Sequence, residues 1–266
     1  MKLLAIGDIF GRPGRVALTE LLPALVAEHK IDFTVVNIEN ASGGRGINLK
    51  ALHELSTLPI DAMTSGNHIW DQPEIFQQFD NFPLLRPLNL VSGLPGRAWL
   101  VKESRSGARV AVLNMQGEIF MQGKGPVVKS PFLFFDEVYQ ELTRRADIVV
   151  VDFHAEATSE KRAFAWHVDG RVSAVWGTHT HVQTADEHVM PDGTAYISDL
   201  GMTGPHLSII GLNKTEVLRR FVEGKRGKFE VAKEGVRLEG VIIDIDEVTA
   251  KARSIQRLQI PFPNTK

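Results

Sequence analysis

Several short segments of this 266-residue chain place carboxylate, amide and imidazole side chains directly after apolar runs. They are GDIFG (7–11), NIEN (37–40), SGNH (65–68), and the pair DFH (152–154) with GTHTH (177–181). Oxygen and imidazole donors of this kind suit hard or borderline cations such as Mn, Fe, Zn or Mg. The chain has no cysteine, so disulfides, thiolate metal sites and cysteine nucleophiles are excluded. Asp8, Glu39, Asn40, Asn67, His154, His179 and His181 offer more ligands than one ion needs. Two ions about 3.5–4 Å apart, bridged by a carboxylate, would use them and would clamp the attacking and leaving oxygens of an in-line displacement at phosphorus. Glu39 is the bridging candidate.

Each of these residues also has a plain structural reading. Asp8 fits a turn or N-cap, and Glu39 and Asn40 fit a solvated loop. Asn67 and His68 fit caps of a helix that Pro73 would open. His154, taken alone, reads as a satisfied core histidine. His179 and His181 alternate on a strand end or loop, so they would point the same way, which suits paired ligation. His29, His53, His167 and His188 sit in helical or loop contexts and read as surface or packing residues, while His206 lies in a Gly-rich segment. GRPGR and SGGRG match neither a P-loop nor a dinucleotide fingerprint. Tight turns explain their glycines, and contact of Arg12, Arg15 or Arg45 with an anionic phosphate is the alternative.

The elements that must position these groups follow from periodicity. Leu3–Ile6, Phe33–Ile38, Ala62–Thr64, Val110–Leu113, Ile148–Val151, Ala174–Trp176 and Ala195–Ile197 read as buried strands. Val16–His29, Leu49–Leu58 and Phe132–Arg145 read as amphipathic helices, the last with Ser130 and Pro131 as start signals. Asn213 and Glu216 suggest a capped helix over Thr215–Val222. Gly240–Ile245 and Ala252–Leu258 flank an acidic turn and read as an antiparallel pair. The expected class is α/β with a late antiparallel element, in one domain over 1–266 with a small excursion within 83–129. In open α/β sheets the carboxyl ends of strands are where loops converge on a site, which gives the polar segments a place to meet.

Composition narrows the partners. A net charge of −2 with 43% hydrophobic and 23% charged residues describes an ordinary globular chain, with no basic field for coating duplex nucleic acid. The apolar run before Asp8 is too short for a signal segment and no later run approaches a membrane span, so cytoplasm is the expected location.

In order, a GD, an acidic residue before Asn, GNH, a lone His and GxHxH resemble the calcineurin-like metallophosphoesterase superfamily. GDIFGRPGR, VNIENASGGRGI, TSGNHIWD, DFHAEATSEK, GTHTHVQTAD and DLGMTGP, spanning 7–205, are similar to the bacterial YmdB family of 2′,3′-cyclic-nucleotide phosphodiesterases. The resemblance implies a sandwich of two mixed β-sheets flanked by helices. It implies two metal ions, Fe or Mn with Zn or Mg as alternatives, one held by Asp8, Glu39, Asn40 and His181 and the other by Glu39, Asn67, His154 and His179. It further implies a metal-activated hydroxide as nucleophile and His68 as the acid that protonates the leaving oxygen. The commoner superfamily pattern has GDxH and GDxxD, and this chain has GDIF and IEN, with Asn40 a candidate for the position that Phe10 cannot fill. The expected partner is a small phosphodiester or nucleotide. A homo-oligomer is expected without a legible interface. Two alternatives remain open at this point: a phosphomonoesterase, and a regulatory or scaffold protein that keeps the metals for binding.

Overall fold

The computed structural model describes residues 1–263 except 91, 92, 122, 124, 125, 226 and 229. Its first sheet contains β1 (Lys2–Ile6), β2 (Asp8–Ile9), β3 (Phe33–Asn37), β4 (Ala62–Thr64), β11 (Met202–Pro205), β12 (Val236–Ile245) and β13 (Ala252–Pro261). Their order is β2-β11-β12-β1-β3-β4, with β13 beside β12. β1, β3 and β4 run parallel, while β12 is antiparallel to β1, β11 and β13. The second sheet contains β5 (Trp99–Glu103), β6 (Arg109–Gln116), β7 (Ile148–His154), β8 (Ala174–Thr178), β9 (His188–Val189) and β10 (Ala195–Ile197), in the order β5-β6-β7-β8-β10-β9. Four parallel strands lie in its middle, and an antiparallel strand closes each edge.

The period-2 alternation of apolar residues decides which layer each strand face joins. Leu3, Ala5, Phe33 and Val35 of the first sheet share one cluster with Val110, Val112, Ile148, Val150 and Trp176 of the second. That cluster is the layer between the sheets. Leu4, Ile6 and Val36 face outward onto Leu18 and Leu22 of α1 (Gly11–His29) and Leu52 and Leu55 of α2 (Leu49–Ser56). Leu113, Val149 and Val151 face the other way, onto Phe135 of α3 (Pro131–Arg145) and Phe164 and Val168 of α4 (Thr158–Val168). Burial of side chains such as Trp176 and Phe33 stabilises the sandwich by about 1.5–3 kcal/mol each. The result is a pair of mixed sheets flanked by helices, as the resemblance implied.

The strands and helices read from periodicity are present, with longer ends in most cases. Three readings are corrected. Pro73 opens no α-helix: residues 67–81 hold three short 3₁₀ turns, in which Asn67, Ile69, Ile75 and Phe79 are buried and Trp70 packs against the core. Ser130 stands at the N-cap of α3 but makes no side-chain cap bond, so Pro131 carries the start signal. Asn213 does cap α5 (Lys214–Glu223), accepting from Thr215 N at 3.0 Å. His188 lies in β9, and α4 and β5 were not legible. No helix among the described residues is long and apolar enough to cross a membrane.

Candidate metal centre

The two sheets end side by side, and their carboxyl ends deliver the polar segments. Asp8 sits in β2, its N–H bonded to Gly201 O. Glu39 and Asn40 follow β3, Asn67 opens the turn after β4, and His154 is the last residue of β7. His179 and His181 lie in a turn just beyond β8, with φ of 100° and 64°. Of the strand end or loop expected for the pair, the structure has the loop: a turn with positive φ at both residues carries the two imidazoles. Oxygen and amide donors come from the first sheet, and the three imidazoles come from the second.

Contacts link all seven side chains. Nε2 of His154 lies 3.0 Å from His179 Nδ1, 3.1 Å from Asn67 Oδ1 and 3.2 Å from Glu39 Oε1. Glu39, His154 and His179 each offer an atom within 4.8 Å of the others. On the other flank, Asn40 Nδ2 is 3.0 Å from Glu39 Oε1 and 3.2 Å from His181 Nε2. His181 Nε2 lies 3.9 Å from Asp8 Oδ1, and His179 N donates to Asp8 Oδ2 at 3.2 Å. Glu39 therefore stands between two donor groups, one with Asp8, Asn40 and His181, the other with Asn67, His154 and His179.

These residues fit a cation. Asp8 Oδ1 and Asn40 Oδ1 are buried acceptors with no hydrogen-bond donor among the described residues, an expensive arrangement unless something positive satisfies them. One ring nitrogen, His154 Nε2, is crowded by three donor atoms that no single proton can serve. The electrostatics agree. Burial pushes the Asp8 carboxyl up to about 7, with the Glu39 and Asp199 carboxylates adding to the rise and His181 and His154 opposing it. Burial also works against ionised Glu39, yet the charge and hydrogen bond of His154, with His68 and His179, hold it well below the usual range. Burial works against charged His154 too, but Glu39, Asp8 and Asp152 push it up to about 9. A proton on His154 and a cation would answer the same surplus of negative charge, so a cation held here would compete with the proton.

The imidazole of His154 is held from behind. Thr178 Oγ1 donates to Asp152 Oδ1 at 2.7 Å and accepts from His154 Nδ1 at 2.9 Å, which turns Nε2 toward the donor cluster. Asp152 is fully buried and also accepts from Asn37 Nδ2 at 3.1 Å and from Thr64 Oγ1. The sequence showed this carboxylate in DFH without a signal of its role.

Gly66 is a second residue that went unread. A Cβ there would lie 2.2 Å from His154 Cδ2 and 2.5 Å from Glu39 Oε2. Gly66→Ala is therefore expected to destabilise the fold by about 1–3 kcal/mol through overpacking and to abolish Mn²⁺ binding. Unchanged Mn²⁺ titration of a folded Gly66→Ala protein would show that the cradle tolerates the methyl group.

His68 lies at the rim, its side chain 26% exposed. Its N–H donates to Glu39 Oε2 at 3.0 Å and its Nδ1 meets Asp71 Oδ2 at 2.8 Å. Arg45 Nε donates to the same oxygen at 3.0 Å. Arg15 is engaged by Glu54 Oε2 at 3.0 Å and by Ala41 O at 2.5 Å. Arg12 lines a cavity of about 920 Å³ with Ser42, Gly43 and Gln72. His206 donates from Nε2 to Met202 O at 3.1 Å and accepts from Arg237 at Nδ1. Burial and the Arg237 charge pull His206 down to about 4, which favours the neutral ring.

Known proteins resemble this chain in sequence and fold. A 2′,3′-cyclic-nucleotide 2′-phosphodiesterase of Bacillus subtilis is 46% identical over 98% of this chain and 97% of its own length. The crystal structure of a Thermus thermophilus protein described as hypothetical superposes with a TM-score of 0.91 at 35% identity, covering 99% of this chain and 100% of that one. A Mycoplasma pneumoniae structure described as a novel phosphatase gives 0.90 at 36% identity, covering 98% and 93%. The model of the YmdB-like proteins matches residues 4–258, and the chain belongs to that family.

Proposed function

We propose that this chain is a metal-dependent phosphodiesterase that opens the 2′,3′-cyclic phosphate of nucleotides at the bond to O2′. The observation that carries the reading is the meeting of Asp8, Glu39, Asn40, Asn67, His154, His179 and His181 where the two sheets end, with buried acceptors that lack a donor among the described residues. The Bacillus relative named for cyclic-nucleotide 2′-phosphodiesterase activity supports the substrate class.

The donor set divides around Glu39. Asp8, Asn40 and His181 with Glu39 would hold one ion, and Asn67, His154 and His179 with Glu39 the other. Mn or Fe suits this mixture of carboxylate, amide and imidazole, with Zn or Mg next. When bound, two ions supply positive charge for the phosphoryl oxygens and make water acidic enough to attack near neutral pH.

The protein residues do the rest. Glu39 keeps its charge despite complete burial and so tolerates shared ligation. Asp152 and Thr178 fix the His154 ring. Asp71 holds His68 Nδ1, which leaves the opposite ring nitrogen to face a substrate at the rim. A proton given from there to O2′ as the P–O2′ bond breaks leaves the phosphate on O3′, so a 3′-nucleotide is the product. General acid catalysis of this kind contributes about 10²–10⁴-fold.

The direct test is hydrolysis of 2′,3′-cyclic AMP, 3′,5′-cyclic AMP and 4-nitrophenyl phosphate, with Mn²⁺ or with a chelator. Mn²⁺-dependent conversion of 2′,3′-cyclic AMP to 3′-AMP is the expected result. Preferential cleavage of the monoester would replace this reading with a phosphomonoesterase. Metal binding without turnover of any ester would replace it with a binding protein.

A further inference from the structure

Beneath the turn that carries His179 and His181 lies an ion pair that the donor set does not require. Lys161 of α4 and Asp199 are each only 2% exposed at the side chain, and Lys161 Nζ donates to Asp199 Oδ2 at 2.8 Å. The lysine stem crosses β8 at Gly177, where a Cβ would come within 2.8 Å of Lys161 Cδ and 1.9 Å of Ser198 O. A buried pair of this sort is weak evidence of stability, since desolvation offsets its attraction and apolar replacements are often neutral. Its other bonds show what it is for.

The remaining bonds of the Asp199 carboxylate go to the backbone and side chain of residues beside the candidate ligands. Oδ2 accepts from Thr180 N at 3.1 Å and from Thr180 Oγ1 at 2.8 Å, and Thr180 is the residue between His179 and His181. Oδ1 accepts from Gly201 N at 2.9 Å, and Gly201 O accepts from Asp8 N at 3.2 Å. One carboxylate thus ties together the backbone positions of three candidate ligands. The tie matters because His179 and His181 both hold positive φ, a conformation that costs about 1–2 kcal/mol per non-glycine residue and persists only where the surroundings over-determine it.

We propose that Lys161 and Asp199 are positioning residues that set the metal-binding shape of the His179–Thr180–His181 turn and of Asp8. Lys161 fixes the carboxylate and balances its charge, and the carboxylate fixes the turn. The inference rests on the metal reading of the site, so its test reads metal affinity directly.

Mn²⁺ binding by isothermal titration calorimetry on Lys161→Met and Asp199→Asn is expected to show a Kd raised about 10- to 100-fold, the usual effect of losing a group that orients ligands. A Val168→Ala variant, a core truncation in the same helix, serves as the control for lost stability. It should lower the melting temperature and keep the wild-type Kd. Should Lys161→Met or Asp199→Asn not fold, Thr180→Val takes their place, because it removes only the hydroxyl bond to Asp199; its Kd should rise several-fold. Variants that bind Mn²⁺ as tightly as the wild type would overturn the proposal, as would equal weakening in Val168→Ala. Failure of the wild type itself to bind Mn²⁺ would instead remove the metal reading, and this inference with it.

Discussion

Replacing Asn67 and His179 together by alanine is expected to abolish metal-dependent diester hydrolysis, a loss of at least about a thousandfold. Both side chains place an atom close to His154 Nε2, Asn67 Oδ1 at 3.1 Å and His179 Nδ1 at 3.0 Å. Without them, His154 keeps only Glu39 as a partner in that half of the donor set. Metal ions supply several kcal/mol of charge stabilisation to a phosphoryl transition state, and about 4 kcal/mol corresponds to a thousandfold in rate. The measurement is turnover of bis(4-nitrophenyl) phosphate with Mn²⁺, beside the metal content of the same samples. Full turnover by the double variant would separate the cluster from the chemistry. Retained Mn²⁺ with lost turnover would assign these residues to catalysis rather than to binding.

His68→Ala is expected to lower kcat on 2′,3′-cyclic AMP by about 10²–10⁴-fold while leaving metal content unchanged. The side chain stands outside the crowded contacts around His154, and the hydrogen bond from His68 to Glu39 comes from the backbone N–H. The acid role makes a sharper prediction through the leaving group. A ribose oxygen needs a proton as it departs, whereas 4-nitrophenolate departs without one. His68→Ala should therefore lose far less activity on bis(4-nitrophenyl) phosphate than on the cyclic nucleotide. Equal losses on the two substrates would assign His68 to substrate positioning. Asp71→Asn, which weakens the 2.8 Å contact at His68 Nδ1, should show the same leaving-group dependence in smaller measure.

Much of the fold was legible because buried parallel strands are written as continuous apolar runs. The candidate site was legible for the related reason that polar residues at the ends of such runs stand out. Asp8, Glu39, Asn40, Asn67 and His154 each follow or end a strand whose interior is wholly buried or nearly so. What escaped was information that exists only in three dimensions. The inward face of α4 includes Glu160 and Lys161 beside Phe164, Ala165 and Val168, so two charges interrupt its apolar stripe and the helix did not register. Those two charges have distant partners. Glu160 accepts from the N–H groups of Glu118 and Ile119, and Lys161 meets Asp199. Gly66 likewise looks like any loop glycine until the neighbouring His154 ring is placed against it. The alternation of His179 and His181 did not distinguish a strand end from a loop, and only the fold shows a turn with positive φ at both residues.

The division of donors between the sheets has a mechanical consequence. Oxygen and amide groups ride on one slab and imidazoles on the other, so the gap across which they cooperate is the spacing of the slabs. Packed sheets stand about 10 Å apart, a distance set by the side chains that fill the space between them. Phe33, Trp176 and Leu200, fully or almost fully buried in that filling, thus act as a calliper: their volumes set the bite of a candidate centre to which they lend no donor, and thinning the filling would narrow that bite without altering one donor atom.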